Sequence, residues 1–145
     1  MNIKECFEKR LLKNGRPDRL KSKKAIEISK KNLLKAERLT KHGFYSETII
    51  ASYAAMFQSA RALLFKDGIF ERSHHCVIEY LKENYVKKHI LSQDYLHSID
   101  VYRTQRHEAL YGLEEISYEK DEVEDAIEKT KKFIRAISQI VDSRF

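Results

Sequence analysis

Ser46–Lys66, SETIIASYAAMFQSARALLFK, is the stretch that decides the fold. Ile49, Ile50, Ala51, Tyr53, Ala54, Ala55, Met56, Phe57, Ala60, Ala62, Leu63, Leu64 and Phe65 leave it almost no polar face. The pattern is helical rather than alternating. A helix that is apolar nearly all round is buried on every side, so it belongs at the centre of a bundle. Its alanines let neighbouring helices come close. Core packing accounts for the stripe better than a cofactor does.

Punctuation around this helix comes from Gly15, Gly43, Gly68 and Gly112, with Pro17 the only proline. Each glycine follows a helix-like run, where a left-handed C-cap carries no steric cost. Before the central helix, a short segment over about Asn2–Lys13 carries Ile3, Cys6, Phe7 and Leu11 on one side, and Asn14–Pro17 makes a turn. A second segment over about Asp18–His42 has Ala25, Ile28, Ala36 and Leu39 on one stripe, widened by Ile26 and Leu33.

After the central helix, Ser73 is an N-cap for a helix over about His74–Val86, with Val77, Ile78, Leu81 and Tyr85 inward. The spacing predicts a fifth helix over about Gln93–Leu110. There Arg106 continues the stripe of Tyr95, Ile99 and Tyr102. A sixth runs over about Glu119–Ser143, with Val123, Ala126, Ile127, Thr130, Ile134, Ile137 and Val141 at bundle spacing. The expected fold is all-α, an antiparallel up-and-down bundle of about five to six helices. Residues 1–17 add a short N-terminal helix and turn to a bundle over 18–145, in one domain.

Composition agrees. A chain of 145 residues can bury a normal core. Cys6 and Cys76 make no disulfide framework, so reduced thiols in a cytoplasmic protein are expected, with a single bridge left open. The N-terminus carries charge where a signal peptide needs an apolar region, and no apolar run reaches the length of a membrane span. The net charge is +6. Lys9, Arg10, Lys13, Arg16, Arg19, Lys21, Lys23 and Lys24 crowd the first third. They form either a solvated helix face or a surface for nucleic acid or an acidic partner. No Gly-x-Gly-x-x-Gly, P-loop, Gly-x-Ser-x-Gly or Asp-x-Asp pair is present. This argues against an independent nucleotidyltransferase, NTPase or serine hydrolase.

The candidate site is Tyr102–Gly112, YRTQRHEALYG. On a helix, Arg103, His107 and Tyr111 share one face at i, i+4 and i+8, and Arg106 lies about 100° around from His107. Arginine holds phosphate bidentately. Histidine moves protons near neutral pH. Phosphodiester cleavage needs both functions and no metal. The same spacing also fits an ordinary helix surface on which Arg103 pairs with Asp100 or Glu108. His74-His75 followed by Cys76 lacks a completing metal motif, so helix-start packing and capping are expected there.

Three stretches resemble one family. Ala51–Ile69 is similar to the long central helix of HEPN-domain proteins (higher eukaryotes and prokaryotes nucleotide-binding), which carry an Ala-x-Tyr-Ala-Met-Phe run ending in Gly-Ile. Ser73–Ile78 resembles the next family helix, which often opens Ser/Thr-x-His. Arg106–Gly112 resembles the helix of the Arg-x4-(His/Tyr) motif, and the likeness spans about Asp18–Ser143. It implies an antiparallel bundle, usually a homodimer with motif arginines of two protomers in one cleft, partnered with a minimal nucleotidyltransferase. Some members are metal-independent ribonucleases of toxin–antitoxin systems, silenced by adenylylation of a tyrosine.

Here the motif is altered. Counting from Arg106, the histidine position is Tyr111; counting from Arg103, His107 comes after only three residues. Tyrosine there resembles the branch whose activity is not established. The resemblance therefore implies a protein that binds nucleotide or RNA phosphate through Arg103, Arg106 and Tyr111 in a toxin–antitoxin-like or stress module. Tyr111 is the candidate for modification, and no cofactor or metal is implied. The alternatives are a metal-independent ribonuclease with His107 as acid/base, and a non-catalytic dimer that docks a partner.

Overall fold

The computed structural model describes residues 1–144. Its helices are α1 (Ile3–Glu8), α2 (Arg19–Lys41), α3 (Tyr45–Asp67), α4 (His74–Leu81), α5 (Gln93–Tyr111) and α6 (Lys120–Arg144). Two short strands, β1 (Leu12–Asn14) and β2 (Ile69–Glu71), pair antiparallel, with Leu12 opposite Glu71 and Asn14 opposite Ile69. The all-α bundle is present, and α3 is its centre, packed by α2, α5 and α6.

α3 buries residues on every side, as its sequence requires: Ile49, Tyr53, Met56, Leu63 and Leu64 are each at most 1% exposed. α2 lies against it through small residues. Ser22, Ala25, Ser29 and Ala36 are buried, and Ser22 Oγ donates to the Ala62 carbonyl at 2.7 Å. All seven expected α6 stripe residues, Val123 to Val141, are buried.

The N-terminal segment departs from expectation. The helix foreseen to Lys13 stops at Glu8, Arg10 turns the chain at φ 58°, and Leu12–Asn14 is a strand. Gly43 and Gly68 are left-handed, whereas Gly15 sits beside the strand pair and Gly112 has φ −63°, so two of the four foreseen caps are not caps of that kind. The thiols expected to be reduced are joined: Cys6 and Cys76 form a disulfide tying α1 to α4, with Cα atoms 5.8 Å apart. α1 folds onto the start of α4 and brings the two together.

β2 positions the site. It runs back along α3, where Glu71 Oε1 meets Arg61 Nε at 2.9 Å. This returns the chain to the level of Phe57 and Tyr53, where α4 begins at His74. α4 and the π-helical turn after it (Lys82–Val86) then run in the same sense as α3. At their far end Tyr80 and Tyr85 hydroxyls donate to Asp67 Oδ2 at 2.9 and 2.6 Å, and Lys66 pairs with Oδ1 of the same carboxylate at 3.0 Å. No helix among the described residues is long and apolar enough to cross a membrane.

Candidate functional site

The C-terminal half of α5 meets the start of α4 across an open groove of about 270 Å³, lined by His74, Arg103, Thr104, Arg106 and His107. α5 buries Ile99 and Tyr102 toward the core, so Arg106, one turn beyond Tyr102, is held half-buried on the flank of α3. Its Cζ lies 5.6 Å from the Tyr53 ring centroid. Arg103 Nη2 donates to Asp100 Oδ1 at 3.2 Å, the within-helix pairing that the spacing also allowed. That bond uses one of five guanidinium donors, and Arg103 Nε is buried without a partner among the described residues.

His107 lines the groove but is exposed, and its ring contacts Tyr111 with centroids 5.1 Å apart. Tyr111 itself is outside the groove lining, one turn further on and exposed. The structure therefore brings Arg103, Arg106 and His107 together, leaves Tyr111 at the margin, and adds His74.

His74 was foreseen as helix-start packing. Packing is part of its role: its ring stacks on Phe57 with centroids 3.9 Å apart and 8° between planes. Its Nδ1 also lies 2.7 Å from the Tyr53 hydroxyl, in a site shared with two arginines. The available sequence signal was Tyr53, a phenol in an apolar helix whose hydroxyl needs a partner. Burial pushes that phenol up to about 12, against the pull of Arg103 and Arg106. Burial, then Arg106, Arg103 and Arg61, hold the His74 ring below the ordinary histidine range.

The sign of the resulting pH dependence is fixed. Between the lowered folded value and 6.5 the unfolded chain binds the proton and the fold does not. Stability is complete above 6.5 and falls as acid is added through that window. A proton NMR titration is expected to place the His74 midpoint below 6.5, and Arg106→Gln to raise it. A wild-type midpoint at or above 6.5 would contradict the burial and charge just described.

A larger groove, about 480 Å³, lies between the start of α5 and α6 and is lined by Ser92, Asp94, Tyr95, His97, Ser98, Lys129 and Lys132. It has no arginine, and its lysines share it with Asp94. A third, of about 300 Å³, includes Glu79 and Asp100 beside Arg103, which disfavours an anion. The groove with two guanidiniums and no carboxylate is the one suited to phosphate. Among the described residues no three His, Cys, Asp or Glu side chains are grouped to hold a metal.

A family model described as HEPN domain matches residues 22–140. No curated protein matches the chain.

Proposed function

The chain belongs to the HEPN-domain family, and from that premise we propose that it binds nucleotide or RNA phosphate in the α4–α5 groove and acts with a minimal nucleotidyltransferase in a toxin–antitoxin-like or stress module. The observation that carries the binding role is the convergence of Arg103 and Arg106 on a groove without a carboxylate. Each guanidinium offers a fork of donors that matches phosphate oxygens. The basic outer face of α2 adds long-range attraction. Leu110, Tyr111 and Leu113 form an exposed apolar margin beside the groove, which suits the second protomer of a homodimer.

The test is fluorescence anisotropy with a labelled single-stranded RNA octamer across a salt series. Two phosphate contacts give log K against log salt a slope of about −1.4, since each contact on a single strand contributes roughly −0.7. Absence of binding to the octamer and to 5′-AMP rejects the proposal.

A metal-independent ribonuclease is the second reading, favoured by His107 on the same groove as both arginines. Cleavage of the octamer in EDTA by wild type, lost in His107→Ala, is its signature.

A further inference from the structure

Tyr53 is 1% exposed, and its hydroxyl has no partner among the described residues other than His74 Nδ1, 2.7 Å away. Two hydrogen placements are open to such a pair. If the ring carried its proton on Nδ1 and donated to the phenol, the phenol's own hydrogen would be buried without an acceptor, which folded proteins avoid. The other placement satisfies both groups: Tyr53 donates to Nδ1, and the neutral ring keeps its proton on Nε2.

The surroundings favour a neutral ring. The charged groups that act on His74 are Arg61 from α3 and Arg103 and Arg106 from α5, and the nearby carboxylates Glu71 and Asp100 are each paired with one of those arginines rather than with the ring. His74 lines the groove, and Nε2 is the nitrogen left for it. A ring in this state cannot take a proton at Nε2, because that position already holds one.

We propose that His74 is a neutral hydrogen-bond donor of the phosphate site, its tautomer set by Tyr53 so that Nε2–H serves a phosphate oxygen held by Arg103 and Arg106. This rests on the phosphate-binding role of the groove. It separates the two histidines: His74 contributes a fixed donor to ligand binding, and any proton removal in this groove falls to His107. Phe57, stacked on the ring, fixes its plane, so the donor is aimed before a ligand arrives.

Two measurements test it. Long-range proton–nitrogen NMR correlation on the wild-type protein at pH 7.5 is expected to show His74 Nδ1 bare and Nε2 protonated; the reverse pattern, or an average of the two, overturns the proposal. Binding is then measured with two probes: 5′-AMP for a terminal phosphate, and a 5′-hydroxyl RNA octamer for internucleotide phosphates. For whichever probe wild type binds, His74→Ala is expected to weaken affinity about tenfold, the scale of a hydrogen bond to a charged group. His74→Gln keeps an N–H donor near the position of Nε2 and is expected to recover affinity to within about threefold of wild type. Equal loss in both variants, or loss in neither, overturns the donor role. Should Arg106→Gln weaken binding while His74→Ala does not, the donor role alone falls and the phosphate site stands. No binding of either probe by wild type removes both.

Discussion

Arg106→Gln is expected to weaken binding of the RNA octamer about 30-fold and to flatten the salt slope by about 0.7. The affinity term follows from losing charge-assisted hydrogen bonds, worth roughly 2 kcal/mol, and the slope term from one phosphate contact fewer. Glutamine is the informative replacement because it keeps most of the stem that packs on α3 and removes only the charge and the fork. The contact over the Tyr53 ring contributes about 0.5–1 kcal/mol to stability, so the variant should fold with a modest loss. Arg103→Gln is expected to do less, since Arg103 already uses Nη2 on Asp100. Binding carried instead by the exposed lysines of α2 would leave Arg106→Gln with wild-type affinity, and that result would move the ligand off this groove.

Gly68→Ala is expected to cost roughly 3 kcal/mol, seen as a fall in Tm of about 10 °C. Two terms make it up. At φ 77° any L-side chain is strained by about 1–2 kcal/mol. A Cβ there would also stand 2.7 Å from the Gly15 carbonyl oxygen and 2.8 Å from Pro17 N, which are backbone atoms and cannot swing aside. Gly43→Ala is the control. Its φ is 78°, but nothing lies within 4 Å of its Cβ position, so it isolates the strain term alone. Thermal denaturation of the pair should show Gly68→Ala losing at least twice as much as Gly43→Ala. Equal losses would mean that the turn at Gly68, where α3 gives way to β2, is not closely packed on Gly15–Pro17.

The long helices were legible because a period of 3.6 summed over twenty residues outweighs local exceptions. α3 could be placed at the centre from composition alone, and the α6 stripe is buried at every position its spacing marked. The strand pair could not be read: Leu12–Asn14 and Ile69–Glu71 are three residues each, too short to carry an alternation. The candidate site divides along the same line. Arg103, His107 and Tyr111 share a face because that is local helix geometry, and the His107–Tyr111 contact follows from it. Arg106 against Tyr53 was half visible, as a charge continuing the stripe of Ile99 and Tyr102. The sequence marks His74 as a helix-start residue and carries no sign of its place in the site. Its place beside the arginines depends on β2 carrying the chain back along α3, a tertiary event with no periodic signature.

That return path also makes one wall of the groove a single unit. α4 with its π-helical turn is fastened to α3 at two separated points, through Tyr53 and Phe57 at His74 and through Asp67 at Tyr80 and Tyr85. A rod fastened at both ends to a second rod has lost its pivot, and along the length of α3 those ends stand about 20 Å apart. α3 and α4 therefore act as a single anvil. The facing wall is the C-terminal half of α5, which carries both arginines and whose outer residues face solvent.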